Sequence, residues 1–168
     1  MAVLDTPRLR LRPPQESDLD AFVEIHEDPE VLKYLNTLGG SAGRAAGWRI
    51  IAMLIGHWHL RGYGQWTVLD RETGEVIGRV GLWYPDGWPG VELGWLIRRS
   101  CWNRGYATEA GRAVIDFAFD HPELNHLISM IRADNTRSIR VAEKLGQTFE
   151  RRETVKGDDV LVYGIRRS

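Results

Sequence analysis

A single cysteine, Cys101, stands in the 168-residue chain, so no internal disulfide can form, and this usage fits a reducing cytoplasm. The sequence also lacks an apolar run long enough to span a bilayer, a signal-peptide pattern and a lipidation motif, which argues against a membrane partner. Neither sign of charge dominates: 22 Lys and Arg face 23 Asp and Glu, a net charge of −1 that gives no electrostatic case for nucleic acid. There is no Gly-x-x-x-x-Gly-Lys-Ser/Thr, which removes a P-loop nucleotidase. Five scattered histidines and one cysteine make no metal-ligand pattern; His57 and His59 are too close on a helix to share a face, so no metal is expected. Internal repeats and low-complexity linkers are absent as well. With 43% hydrophobic and 27% charged residues, the simplest organisation is one folded domain over residues 1–168.

What the chain does have is alternation of strand and helix signals. Leu9 and Leu11 alternate with Arg8, Arg10 and Arg12 between prolines, a short strand near a sheet edge. Ser17-Asp18 caps a helix through His26, and Asp28-Pro29-Glu30 restarts a short helical piece. Gly39 to Gly43 is a glycine-rich loop, after which Ala45 to Leu60 is a helix with Trp48, Ile51, Ala52, Ile55 and His59 at helical spacing. Gln65 to Asp70 and Glu75 to Trp83 are strands about an Arg71-Glu72-Thr73-Gly74 turn, and the glycines of the second suggest close backbone approach or a bulge. Leu127 to Ile131 is a short buried strand, Asn135 opens a helix closed by Gly146, and Phe149 to Val155 and Val160 to Ile165 make a last hairpin.

The informative stretch runs from Val91 to Ala118. Val91, Leu93, Trp95 and Ile97 have the period of a strand; Ala107, Ala110, Gly111, Val114, Phe117 and Ala118 have that of a helix, which Pro122 forbids from continuing. A strand that delivers the chain through Asn103-Arg104-Gly105 into a helix start makes an anion site, because first-turn N–H groups are unpaired and the dipole is positive there. An ordinary strand-loop-helix unit would share the glycine.

Trp102-Asn103-Arg104-Gly105-Tyr106-Ala107 resembles motif A of the GNAT acyltransferase superfamily, Gln/Arg-x-x-Gly-x-Gly/Ala, with Trp in the first position. The continuation Gly-Tyr-Ala-Thr-Glu-Ala, together with the opening Thr6-x-Arg8-Leu9-x-Leu11-Arg12, is similar to the branch that includes the ribosomal-protein N-terminal acetyltransferases. Asn135, Ser138, Glu143, Lys144, Leu145 and Gly146 resemble motif B, although Gln147 stands where Phe is expected and puts the register of the next strand in question. The resemblance implies an α/β (α+β) GNAT fold: a central mixed, mostly antiparallel sheet with a splayed parallel strand pair, flanked by helices. It also implies acetyl-CoA as cosubstrate, with no metal. The pantetheine arm would lie along Trp95, Leu96 and Ile97, with the Leu96 N–H as oxyanion donor. The pyrophosphate would lie on Asn103, Arg104, Gly105, Tyr106, Ala107 and Thr108, and Asn135 would bond the pantetheine amide or serve as a helix cap only.

Acetyl transfer to an amine requires a neutral amine, a stabilised oxyanion and a protonated leaving thiolate. Ser138 occupies the position where the resembled branch uses a serine near the sulfur; otherwise it is a local hydrogen bonder. Glu92, partly desolvated beside aromatics, would be the base, or else a surface residue, with Asp86 in reserve. Trp88, Asp86 and Tyr84 would form the acceptor wall, suited to a cationic amine. Cys101 has no nearby His in sequence, and direct transfer in a ternary complex is expected. The acceptor is a protein N-terminus or a small-molecule amine, and a homodimer is left open. The alternative is a non-catalytic CoA-binding or interaction module that keeps the fold.

Overall fold

Leu9 and Leu11 are fully buried, while Arg10 between them is exposed, so the alternating N-terminal segment forms a strand with one face on the core. The computed structural model describes residues 2–35 and 43–168; the glycine-rich loop expected at Gly39 to Gly43 lies outside the described residues up to residue 42. The strands are β1 (Leu4–Asp5), β2 (Leu9–Arg12), β3 (Gln65–Asp70), β4 (Val76–Trp83), β5 (Glu92–Ile97), β6 (His126–Ile131), β7 (Thr148–Val155) and β8 (Asp158–Arg166). They form one sheet in the order β1-β2-β3-β4-β5-β6-β8-β7. Every neighbouring pair is antiparallel except β5 and β6, which are parallel. The helices are α1 (Leu19–Glu27), α2 (Pro29–Leu32), α3 (Arg44–Arg61), α4 (Tyr106–Phe119) and α5 (Thr136–Lys144). Among the described residues no helix is long and apolar enough to cross a membrane.

Register assigns each strand residue to a face. Gly81 faces Gly94, Arg79 faces Leu96 and Gln65 faces Gly81, so Gln65, Thr67, Arg79, Trp83, Glu92 and Leu96 share one face. Leu19 and Phe22 of α1, with Ile51 and Leu54 of α3, pack on that face against Trp83. Trp66, Val68, Val80, Leu82, Leu93 and Ile97 share the opposite face, where Tyr106, Ala110 and Val114 of α4 cover them. α5 lies beside α4: a Cβ on Gly111 would stand 2.8 Å from Leu145 Cδ1, so this glycine sets their close approach.

Helix α3 buries a different side from the one its spacing suggested. Ala46, Gly47, Ile51, Leu54 and Trp58 face inward, whereas Trp48 is 50% exposed and Ala52 and His59 lie on the surface. Apolar residues occur all around this helix, so periodicity does not choose a face. Close packing chooses it: a Cβ on Gly47 would come within 2.8 Å of Val23 Cγ2 on α1. In the last hairpin the register shifts between Phe149 and Arg151, in the strand that follows the Gln147 departure, and Gln147 itself is buried.

Asp18 makes no side-chain capping bond to α1. Its carboxylate, 1% exposed, accepts from Arg12 Nη2 at 2.5 Å and Nη1 at 2.9 Å, from Thr67 Oγ1 at 2.7 Å and from the Gln15 N–H at 2.9 Å. One buried acid thus ties the start of α1 to β2 and β3. Removing one partner of such a pair strands the other charge, so Asp18→Ala should lower the unfolding free energy by about 3 kcal/mol, read from urea denaturation; a change within error would show that the pair is dispensable.

Candidate active site

The parallel strands β5 and β6 meet at one register pair, Glu92 with Ile128, and then part. Ile128 N–H donates to Val91 C=O at 2.9 Å, and beyond it Ser129 Oγ donates to Leu93 C=O at 2.6 Å. On its other edge β5 is fully laddered to β4, and Arg98 N–H donates to Ile77 C=O at 2.7 Å. In an antiparallel ladder alternate residues bond to the same neighbour, so Glu92, Gly94 and Leu96 also direct their amides at β4. Trp95 and Ile97 direct theirs into the parting. This corrects the expectation that the Leu96 N–H serves as oxyanion donor: it is committed to the ladder, and the N–H groups of Trp95 and Ile97 are the ones that face the opening. Ile97 C=O is already taken by Trp102 Nε1 at 2.7 Å.

That last bond accounts for the Trp in the first motif position. Its indole closes the strand-to-loop junction, and the Arg137 guanidinium lies 3.9 Å from its ring centroid. The loop then turns through two left-handed residues, Asn103 at φ 61° and Gly105 at φ 79°, a conformation that Asn and Gly adopt readily. The first helical bond of α4 runs from Glu109 N–H to Gly105 C=O at 2.9 Å, so the N–H groups of Tyr106, Ala107 and Thr108 precede the ladder. Glu109 anchors this turn from behind. It accepts from Thr6 Oγ1 at 2.6 Å, from the Arg8 N–H at 2.9 Å and from Arg8 Nε at 2.7 Å, and Arg8 Nη1 donates to Arg104 C=O at 2.9 Å. Burial raises the Glu109 pKa, but these bonds outweigh it and the net shift is downward.

On the α1/α3 face, Glu92 accepts from Trp88 Nε1 at 2.9 Å, and its carboxylate also takes a backbone bond from Met130 on β6. Burial raises its pKa to about 7 despite those bonds and the nearby Arg79 charge. Lys156 Nζ sits 5.1 Å from the Trp88 ring centroid. On the α4/α5 face, Trp95 Nε1 donates to Ser138 Oγ at 3.3 Å, and Asn135 Oδ1 accepts from Ser138 N–H at 3.2 Å. Asn135 is therefore a helix cap, with its amide nitrogen left for another acceptor.

A cleft of about 460 Å³ passes through the sheet at the parting. It brings together Glu92, Ser138, Trp88, Trp95, Leu96, Ile97, Asn103, Gly105, Tyr106, Ala107, Thr108 and Asn135. Three other candidates stay off its walls. Arg104 is exposed, Asp86 is exposed in its loop, and Tyr84 lies under the Arg61 guanidinium, 4.9 Å from its ring centroid. The Tyr84 N–H donates to His57 Nε2 at 2.9 Å, and His57, stacked on Trp83, holds the base of that loop. Cys101 reaches the cleft wall. Sequence reasoning missed Arg79, Gln65 and Trp102, which also line it; Arg79 carried a legible signal, a lone charge between glycines in an apolar strand. The open amides of Trp95 and Ile97, continuous with the start of α4, fit an extended ligand that bears amides along its length and an anion at one end.

Three comparisons agree with this geometry. A family profile described as an acetyltransferase (GNAT) domain matches residues 8–148. The chain is 33% identical over 147 residues to the uncharacterized N-acetyltransferase p20 of Bacillus licheniformis, covering 86% of this chain and 82% of that protein. The crystal structure of an acetyltransferase from Agrobacterium tumefaciens superposes with a TM-score of 0.86 at 32% identity, covering 99% of this chain and 95% of the other. A ribosomal L7/L12 α-N-protein acetyltransferase in complex with coenzyme A shares the fold, with a TM-score of 0.79 at 17% identity and 98% of each chain covered.

The raised pKa of the half-buried Glu92 is testable without a substrate. Its folded pKa, about 7, exceeds the unfolded value of 4.5, so between these values the folded protein keeps a proton that the unfolded chain has released. Stability therefore falls as pH rises through that window. Glu92→Gln should match the wild type near pH 4.5 and exceed it above pH 7 by up to about 3 kcal/mol, read from thermal or urea unfolding. A pH-independent difference would place the carboxylate in contact with solvent.

Proposed function

Because the chain belongs to the GNAT acetyltransferase family, we propose that it transfers an acetyl group from acetyl-CoA directly to a primary amine, with Glu92 and Ser138 on opposite sides of the reacting carbonyl. The observation that carries this reading is the parting of β5 from β6, which leaves backbone donors facing a cleft with an acid and a hydroxyl on its two sides. Acetyl-CoA, when bound, supplies a thioester carbonyl that amines can attack.

The protein's own groups divide the work by sheet face. The N–H groups of Tyr106, Ala107 and Thr108, at the positive end of α4, hold phosphate. The Trp95 C=O and the Ile97 N–H pair with the pantetheine amides as a neighbouring strand would, and the Trp95 N–H stabilises negative charge on the carbonyl oxygen. Glu92 faces the α1/α3 side and accepts the proton of the incoming ammonium, directly or through one water. With a pKa of about 7 it is close to half ionised at neutral pH, which suits a base that must both take and release a proton. Ser138 lies on the α4/α5 side, where the sulfur departs. Its oxygen already accepts from the Trp95 indole, so its own hydrogen is directed elsewhere and is free to reach the thiolate, and the serine is restored by the proton that the attacking nitrogen loses as the C–S bond breaks.

Trp88 forms the acceptor wall beside Glu92, and the amine arrives on the side opposite α4. The Agrobacterium protein and the p20 relative support acetyl transfer; the L7/L12 enzyme supports a CoA site in this fold and, by its name, a protein N-terminus as one kind of acceptor. A single folded unit over residues 1–168 and a reducing cytoplasmic setting are consistent with one sheet and one cysteine.

Single-turnover kinetics with acetyl-CoA and a panel of peptide and small-molecule amines test the assignments. Glu92→Gln should lower the transfer rate near pH 7 by about 100-fold and abolish the rise in rate that the wild type shows as pH passes about 7. Ser138→Ala should slow transfer by about 10- to 100-fold while leaving acetyl-CoA affinity within twofold. Wild-type rates in either variant would remove that residue from the chemistry, and no transfer to any amine would leave a CoA-binding protein without this activity.

A further inference from the structure

Arg79 is an unexplained charge on the Glu92 side of the cleft. It projects from β4 on the Glu92 face and lines the cleft wall opposite Leu96. Its only hydrogen bond among the described residues is from Nη1 to the neutral Gln65 Oε1, and its Nε is buried without a partner. No carboxylate among the described residues lies within ion-pair distance; Glu92 acts on it only through its longer-range charge. The Arg79 charge also reaches His26, whose Nδ1 donates to Phe22 C=O at 2.7 Å and whose buried Nε2 is likewise unpartnered. Arg79 is only partly buried, yet a guanidinium held even partly away from water is ordinarily paired with an anion, since an uncompensated charge there is costly. Here burial depresses the Arg79 pKa to about 10, which still leaves it a cation at neutral pH.

The missing anion is not the phosphate of the cosubstrate. The start of α4 packs on the Val80, Leu93 and Ile97 face, whereas Arg79 points to the opposite face with Glu92 and Gln65. The cation therefore belongs to the acceptor side. Its planar fork matches a carboxylate, and the other cation on this side, Lys156, is placed over the Trp88 ring. We infer that the acceptor is a primary amine carrying a carboxylate, which Arg79 binds while Glu92 receives the amine. Along the strands the two residues are four steps apart, roughly 13 Å, on one face of the sheet and near enough for the Glu92 charge to act on Arg79. The amine and the carboxylate accordingly sit on one amino-acid-like molecule or within the first two residues of a peptide.

This assignment rests on the acetyl-transfer reading, and its test separates the two. Calorimetric titration, with and without CoA, uses matched pairs: an α-amino acid and its amide, γ-aminobutyrate and its amide, and the C-terminally amidated dipeptides alanyl-glutamate amide and alanyl-glutamine amide. In at least one pair the carboxylate member should bind the wild type about tenfold or more tightly than its partner. The winning pair tells a free amino acid from an acidic peptide. Arg79→Gln should erase the preference and Arg79→Lys should keep part of it, with CoA affinity unchanged in both. If the glutamine variant does not fold, the wild-type ratio and the lysine variant still decide. Equal or tighter binding of the amides, or no binding by any pair, overturns the carboxylate assignment and leaves acetyl transfer standing. Absence of CoA binding overturns the acetyl-transfer reading instead, and the titrations without CoA still measure the preference.

Discussion

The site depends on one interruption in a hydrogen-bonded sheet. A parallel pair that stayed closed would satisfy the backbone of β5 on both edges and leave nothing for a ligand. Here the ladder ends after Glu92 and Ile128, and side chains take over the groups nearest the fork: Ser129 on Leu93 C=O, Glu92 on the Met130 amide, Trp102 on Ile97 C=O. What remains open is a short row of donors and acceptors centred on Trp95. An unpaired buried backbone group is costly, so a fold keeps such a row only where something else completes it. The same fork explains why the half-buried Glu92 is poised near neutrality, since it stands at the point where the strands separate.

A second constraint holds the anion-binding turn in place. Thr6 and Arg8, at the start of the chain, clamp Glu109 in the first turn of α4, and Arg8 also bonds the loop at Arg104 and lies 4.6 Å from the Tyr106 ring centroid. Residues about a hundred positions apart thereby share one node. An N-terminal strand that buries only two leucines has a functional reason to be there: it braces the loop whose amides face the cleft. Asp18 does comparable work at the start of α1, linking that helix to β2 and β3 beneath the acceptor side.

Much of this was legible from residue order. The strand at Val91–Ile97, the turn at Asn103–Gly105 and the helix after it follow from a change of period around a glycine, and the parallel pairing of β5 with β6 follows from a helix between two strands. Asn135 as a helix cap was equally local. Four readings failed, each for its own reason. The buried face of α3 was misplaced because a helix apolar on every side is oriented by packing, in this case by Gly47 against Val23. The oxyanion donor was assigned to Leu96, because strand alternation reports where side chains point and not which edge each amide serves; that depends on register with β4. Arg79 was passed over because its meaning comes from what it lacks, a charged partner, and partners are visible only in three dimensions. Tyr84 and Asp86 were near Glu92 in sequence, yet their loop turns them away from the cleft.

The central claim is that the gap between β5 and β6 is where the thioester is held. A crystal structure of the protein with acetyl-CoA tests it most directly. The account predicts pantetheine amides paired with Trp95 and Ile97, phosphate on the amides of residues 106–108, and the acetyl carbonyl between Glu92 and Ser138. Acetyl-CoA bound elsewhere, or bound with those backbone amides still facing water, would contradict it.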